Sequence, residues 1–394
     1  MNKAPSALHM QGFDIDYFVQ HFWQKKPCVI KGFFDDFTDP LDEHELAGLA
    51  QEDSVDSRLI SFNDNAWQVT QGPIDDFAPL CVGAWSLLVQ GVDRYMPEVG
   101  ALSDKVKRLG HWRMDDVMVS FSSPGAGVGP HIDQYDVFIV QGKGSRRWQV
   151  GLPNAHENLT PHPLLKQISE FTPTIDEVLE PGDAVYIPPK HPHNGVALTE
   201  CLNYSIGFRA PTNLELLHGL LDEGEDLQLV QRRYEDPDNS QYRDAHMPPA
   251  QVSQHELARL KALIAELLNT PEADQALMRF ISAQSLPDMK PDEEYTIEEV
   301  LDACRQGLVI KLLPGVKAVY SHVSESPNEP FVFYVDAQPF STTAENQALM
   351  LALIHTGELS ISADVNYGRD NKTQTAFAAL VSQLVNAGFV YFDA

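Results

Sequence analysis

The chain reads as an α+β protein in three parts. They are a strand-rich region over residues 1–210, a helical segment over 211–285 and a small winged-helix-like region over 286–394. Three observations predict this. Short β-rich runs separated by turns follow one another up to residue 208, the pattern of an all-β sandwich or barrel. After Pro211 the composition shifts to leucines at helical spacing. Beyond residue 286, helical runs interleave with short strands. At 394 residues the chain can bury two or three cores.

Phe13 to Trp23 reads as a short helix, and Lys25 to Gly32 as a strand entering the domain after Pro27. Residues 41–100 alternate acidic helix-like stretches with one strand around Trp67-Gln68-Val69. Asp116–Ser122 is a β-rich run that stops at Pro124-Gly125-Ala126-Gly127. That turn lacks the spacing and the following helix of a phosphate cradle, which excludes a nucleotide loop. Strands are expected at Asp136–Gln141, at Arg146–Val150 after Gly142-Lys143-Gly144, at Ala184–Ile187 after Pro181-Gly182-Asp183, and at Asn203–Phe208.

Helices follow at Asn213–Leu221 and Ser253–Leu268, joined by a polar, proline-bearing stretch over 235–250 that suits an exposed loop. The second opens with a capping box, Ser253 to Glu256. Its Leu257, Leu260, Ile264, Leu267 and Leu268 make one apolar stripe, fit to pack on the same chain or on a second copy. Thr296 and Glu299 cap a helix ending near Gly307. Leu308–Leu312, Ala318–Val323 and Phe331–Val335 read as strands, Thr343–His355 and Thr375–Ala387 as helices, and Phe389–Phe392 as a closing strand.

Hydrophobic residues make up 43% of the chain, and net charge is −28, shared as −12 over 1–210 and −16 over 211–394. Such a surface repels nucleic acid and favours a basic partner. A winged helix would suggest DNA, but Thr375–Ala387 carries no Lys or Arg, so no direct DNA binding is expected and a protein contact is preferred. The start, Met1 to Ser6, lacks the apolar run of a signal peptide, and no segment is long enough to span a bilayer. Cys28, Cys81, Cys201 and Cys304 show no CxxC spacing, as for free thiols in a reducing cytoplasm.

The chemistry centres on Gly129-Pro130-His131-Ile132-Asp133. In an extended strand His131 and Asp133 project to one face, supplying two of the three ligands of a facial iron site. The third is expected from a distant strand, with His193 ahead of His191 and His156. A 2-oxo acid needs a cation inside the barrel. In Arg146-Arg147-Trp148-Gln149-Val150, alternation puts Arg146 with Trp148 and Val150 on the apolar, inward face, while Arg147 goes with Gln149. Lys143 sits in a glycine turn. An arginine fork suits bidentate carboxylate binding.

These residues carry a resemblance. Phe22-Trp23-Gln24-Lys25-Lys26-Pro27-Cys28-Val29-Ile30-Lys31-Gly32, the His131-Ile132-Asp133 stretch, and Gly182-Asp183-x-x-Tyr186-Ile187-Pro188-Pro189-x-x-Pro192-His193 resemble the JmjC-domain ribosomal oxygenases, in their bacterial branch. The resemblance covers nearly the whole chain. It implies a JmjC/cupin-like double-stranded β-helix, ferrous iron, and 2-oxoglutarate and dioxygen as co-substrates. It places iron on His131, Asp133 and His193 and the 2-oxoglutarate carboxylate on Arg146, with Ser120 as a second contact.

The substrate it implies is an arginine on a basic ribosomal protein of the large subunit. An inserted guanidinium wants a carboxylate, and Asp115, Asp116 and Asp136 lie nearest the metal strands in sequence. The family also implies a homodimer through the helical segment. Competing readings are a demethylase or metal-dependent isomerase on the same scaffold, and a non-catalytic acidic binding protein. The Arg146 clamp argues against an isomerase, and an intact ligand trio against a binder. Zinc would also accept this ligand set.

Overall fold

The computed structural model describes residues 8–226, 232–236, 248, 250–323, 326, 329–361 and 371–393. Chain contacts divide it into two units. One is Met1–Ala210 with Leu286–Lys290 and Leu312–Val316; the other is Pro211–Ser285, Pro291–Lys311 and Lys317–Ala394.

The strands of the first unit are β1 (His9–Gln11), β2 (Cys28–Lys31), β3 (Ser57–Asn63), β4 (Ala66–Gln71), β5 (Ala84–Val89), β6 (Met114–Ser122), β7 (His131–Ile132) and β8 (Asp136–Gln141). They continue as β9 (Arg146–Gly151), β10 (Asn158–His162), β11 (Leu165–Ile168), β12 (Pro173–Leu179), β13 (Ala184–Ile187), β14 (Pro192–Ala197) and β15 (Cys201–Phe208). Nine form one sheet, ordered β1-β2-β13-β8-β15-β6-β5-β3-β4, and four form a second, ordered β12-β9-β14-β7. The two sheets pack face to face through Val137, Ile139, Trp148 and Val150, the double-stranded β-helix that the resemblance implies. Strands β10 and β11 make a separate hairpin.

Residues 41–100 hold three strands, β3, β4 and β5, where the sequence suggested one. In β3 and β5, buried residues stand next to one another along the chain. Neither strand therefore shows the polar–apolar alternation that reveals a half-buried strand.

The large sheet has a core on each face, and β8 is buried along its whole length because it feeds both. Phe138 and Val140 enter a cluster with Phe18, Phe22, Phe33, Tyr186 and Phe208. Phe18 meets Tyr186 edge-on, with ring centroids 4.8 Å apart. Helix α1 (Ile15–His21) delivers Phe18, and its N-cap Asp14 accepts from the Asp16 and Tyr17 amides. Val137 and Ile139 face the other way, packing with Val185 and Ile187 against Trp148, Val150, Ile175 and Leu179 of the small sheet. Helices α2 (Glu43–Leu49) and α3 (Pro97–Gly100) complete this unit.

The second unit contains α4 (Asn213–Asp226), α5 (Gln254–Leu268), α6 (Pro271–Ser282), α7 (Ile297–Arg305), α8 (Gln347–Thr356) and α9 (Asn371–Asn386). Its strands are β16 (Val309–Leu312), β17 (Ala318–Val319), β18 (Phe331–Val335), β19 (Gln338–Thr342), β20 (Glu358–Ser360) and β21 (Val390–Asp393). They form two sheets, β20-β16-β21 and β17-β18-β19. Both capping boxes read in the sequence form, at Ser253 and at Thr296.

Several details differ from expectation: helix α6 and strand β20 have no counterpart in the sequence reading, and the helix expected from Thr343 starts at Gln347. The strand expected over Ala318–Val323 ends at Val319. Strand β19 joins β18 through Asp336 and Ala337, both left-handed at φ 45° and 61°, a hairpin lacking the usual glycine signal. Helix α9 starts at Asn371, which brings Lys372 into it as its single cation. The loop expected over 235–250 falls largely outside the described residues. Among the described residues no helix is long and apolar enough to cross a membrane.

Candidate metal centre and co-substrate pocket

Strand pairing assembles the metal ligands. In the small sheet His131 on β7 stands directly opposite His193 on β14, and directly paired residues project to the same face. Their ring centroids are 4.1 Å apart. Asp133 lies one residue beyond the end of β7, not on the strand as the sequence reading had it. Its carbonyl accepts from the Lys190 amide at 2.8 Å. Asp133 Oδ2 is 3.6 Å from His193 Nε2 and 4.0 Å from His131 Nε2. Among the described residues this trio is the only His/Cys/Asp/Glu cluster able to hold a metal ion, its ligand atoms all within 4.8 Å of one another.

The donor chemistry fits a divalent metal. His131 Nδ1 lies 2.9 Å from the Gly129 carbonyl and His193 Nδ1 lies 3.0 Å from the His191 carbonyl. A carbonyl only accepts, so each Nδ1 carries the proton and each Nε2 keeps its lone pair for a metal. Burial, with His131 alongside, holds His193 down to about 4, so its imidazole is neutral at physiological pH. Gly129 makes the entry possible. Its backbone is left-handed at φ +79°, and a Cβ there would lie 2.1 Å from Gln167 Nε2. His191 turns its own Nδ1 to the Pro189 carbonyl at 3.1 Å, and His156 packs against Phe171; neither joins the trio.

Arg146 is buried and Arg147 exposed, as the parity of β9 required. The Arg146 fork donates to Ser122 Oγ, Asn203 Oδ1 and the Gly195 carbonyl, each at 3.1 Å. Its guanidinium lies 5.2 Å above the Trp148 ring. Its Nε has no partner, and among the described residues no carboxylate lies within ion-pair distance. Burial works against its charge. A desolvated guanidinium with neutral acceptors and one idle N–H fits a carboxylate ligand. The competing cations are engaged elsewhere, Lys143 with Glu43 at 2.6 Å and Arg147 with Asp176 at 2.6 Å.

The sequence reading missed the residues around this arginine. Ser120 is buried on the same face of β6, but the hydroxyl that meets Arg146 is Ser122, two residues on. Asn203 shows in the sequence only as a polar residue inside an apolar strand. Gly195 is required because a Cβ there would lie 2.7 Å from the Trp148 ring and 2.8 Å from Arg146 Nε.

The three acidic candidates separate by environment. Asp136 is fully buried and accepts from Gln24 at 3.0 Å, Arg113 at 2.8 Å and the Tyr186 hydroxyl at 2.6 Å. Its carboxylate is satisfied within the fold. Asp115 is exposed, 3.8 Å from Arg209. Asp116 is half-buried, accepts from the Gly91 amide at 2.7 Å, and is pushed up to about 6 by burial and then by Asp93 and Asp115. Tyr135, which follows the metal strand, feels the charges of both Asp133 and Asp116.

A double-stranded β-helix holding two histidines and a carboxylate beside an anion-seeking arginine defines a JmjC-type, metal- and 2-oxo-acid-dependent oxygenase. Comparison with known proteins narrows this. Residues 101–216 match the JmjC domain family and residues 266–391 the ROXA-like winged helix. The chain is 41% identical over 387 residues to the ribosomal protein uL16 3-hydroxylase of Escherichia coli K12, covering 95% of this chain and 97% of that protein. It is 39% identical over 210 residues to a probable ribosomal oxygenase of Haemophilus influenzae, covering 52% of each chain. The structure of the Escherichia coli ribosomal oxygenase YcfD with cobalt and 2-oxoglutarate superposes with a TM-score of 0.84, at 39% identity over 97% of this chain and 99% of that one. A second YcfD structure holds cobalt and succinic acid, with a TM-score of 0.84. The chain belongs to the JmjC-domain ribosomal oxygenases.

Proposed function

We propose that this chain is an iron(II)- and 2-oxoglutarate-dependent hydroxylase acting on an arginine side chain of the ribosomal protein uL16. The observation that carries it is the metal trio in one unit with a buried guanidinium whose Nε has no partner and which meets no carboxylate among the described residues. With iron bound, the site supplies the splitting of dioxygen, one atom leaving in succinate as 2-oxoglutarate loses carbon dioxide and the other entering a substrate C–H bond. His131, Asp133 and His193 would hold the metal through two imidazoles and one carboxylate, a donor set suited to an iron that also takes a co-substrate. Arg146 takes the far carboxylate of 2-oxoglutarate, with Ser122 and Asn203 keeping the fork in place and Ser120 lining the same strand face. The direct test is succinate release from 2-oxoglutarate and iron(II) by purified protein. It should rise on adding uL16, with a 16 Da gain on one arginine of uL16. Release indifferent to uL16 would refute the substrate.

Asp116 is the carboxylate proposed to receive the substrate guanidinium, with Asp115 at its rim. Because Asp116 sits near 6 in the free protein, its ionised form is depleted below that pH. KM for uL16 should therefore rise about tenfold per pH unit below pH 6 and level off above pH 7. Asp116→Asn should flatten that rise. The same residue carries a stability signature. Its folded value is raised above the unfolded one, so its stabilising share is present below about pH 4 and lost as pH climbs through 6. The uncharged asparagine has no such loss, so Asp116→Asn should melt higher at pH 7 while losing activity.

The helical segment is proposed to hold two copies together. Helix α5 buries none of its residues in the single chain, and Leu257, Leu260, Ile264 and Leu268 are exposed, as are Leu214, Leu217 and Leu221 on α4. Exposed apolar side chains repeated along a helix face suit an interaction surface. Sedimentation at micromolar concentration should give twice the chain mass, and Leu260→Asp with Ile264→Asp should halve it. A wild-type monomer would remove this assignment. A ribosomal substrate supports a cytoplasmic location. With Lys372 as the lone cation of α9, direct DNA binding is not proposed.

A further inference from the structure

The face of the large sheet that looks onto the site extends from β6 across β5 and β3. Arg58 on β3 pairs with Leu88 on β5, Leu88 with Ser120 on β6, and Ser120 with Asn203 on β15. Directly paired residues share a face, so Arg58 stands in one row with Ser120 and Asn203. Two strand spacings put its backbone roughly 10 Å from that of Ser120. Around it Ile60, Leu88 and Leu165 form a buried apolar cluster, against which the half-exposed Trp67, Val69 and Met118 pack. Its positive charge reaches the Tyr135 phenol, which also feels Asp133 and Asp116. Arg58 Nε is buried without a partner, and among the described residues no carboxylate lies within ion-pair distance of its guanidinium.

A cation on this sheet face is out of keeping with a strongly acidic chain whose substrate is basic. It would repel a target guanidinium brought close to it. The acceptors that suit it must come from the uncharged part of an incoming chain, and every residue of a polypeptide carries one in its carbonyl. We propose that Arg58 is a substrate-binding residue, donating from its guanidinium to main-chain carbonyl oxygens beside the target residue as the polypeptide passes the half-exposed Trp67, Val69 and Met118. This rests on the reading of the site as a protein hydroxylase. It adds a device by which the enzyme requires a polypeptide and not a free guanidine compound.

The test uses the full chain with iron(II), 2-oxoglutarate and a peptide of about twenty residues carrying the target arginine of uL16. Arg58→Gln should raise KM for the peptide at least about tenfold, as loss of hydrogen bonds from a charged donor does, with kcat within roughly threefold. Arg58→Lys, which keeps the charge but not the fork, should fall between the two. Both should melt like wild type, because the guanidinium holds no ion pair in the free protein. Replacing single peptide amides by esters weakens the carbonyl acceptor; one such position should weaken wild-type binding and leave Arg58→Gln unmoved. An unchanged KM in Arg58→Gln, or equal ester sensitivity in both proteins, overturns the assignment of Arg58 while the hydroxylase reading stands. A wild type that neither binds the peptide nor releases extra succinate overturns both.

Discussion

Replacing His193 by alanine should bring 2-oxoglutarate turnover below detection while the protein still melts cooperatively. His193 contributes one of three ligand atoms, and its Nε2 lone pair is free because Nδ1 is committed to the His191 carbonyl. Losing it leaves two ligands, with no other histidine or carboxylate placed in the cluster among the described residues. Manganese(II), which binds such a site without turnover, gives a readout independent of activity. At a hundredfold excess over Kd it should stabilise the wild type by about 2.7 kcal/mol. His193→Ala and Asp133→Ala should show no such gain. His191→Ala is the control, since that ring turns to the Pro189 carbonyl, and it should retain the metal response. A metal shift lost in His191→Ala and kept in His193→Ala would mean that the wrong histidine has been named.

Arg146→Ala should raise the apparent KM for 2-oxoglutarate at least about 100-fold, or about 2.8 kcal/mol at 1.4 kcal/mol per decade. A bound carboxylate would be left desolvated and unpaired, and that penalty exceeds the worth of an ordinary hydrogen bond. The manganese response should persist, because no metal ligand is touched. Lys143→Ala and Arg147→Ala should stay within a few-fold of wild type, since their charges are taken up by Glu43 and Asp176. Arg146→Lys should recover little, because a single ammonium cannot reproduce the fork that reaches Ser122, Asn203 and Gly195 at once. A large effect in Lys143→Ala with a neutral Arg146→Ala would place the co-substrate on the other side of the β8–β9 turn.

What the sequence determined by itself was local and periodic. The alternation of Arg146, Trp148 and Val150 against Arg147 and Gln149 settled which arginine turns inward, because side-chain direction in a strand has period two. Turn residues and capping boxes located most strands and two helices, since both act within four residues. His131 and Asp133 were legible as a pair from their spacing. Tertiary structure decided whatever depends on which strand lies beside which. His193 joins the trio because β14 pairs with β7 in a register that sets it opposite His131. Ser122, Asn203 and Gly195 reach Arg146 from three strands distant in sequence. Asp136 looked equal to Asp116 in the chain, yet Gln24, Arg113 and Tyr186 close over it, while Asp116 accepts from the Gly91 amide and is opposed by burial and by Asp93 and Asp115. Burial and cross-strand register belong to the assembled sheets and leave no periodic mark on any one segment, so only the fold could separate those residues.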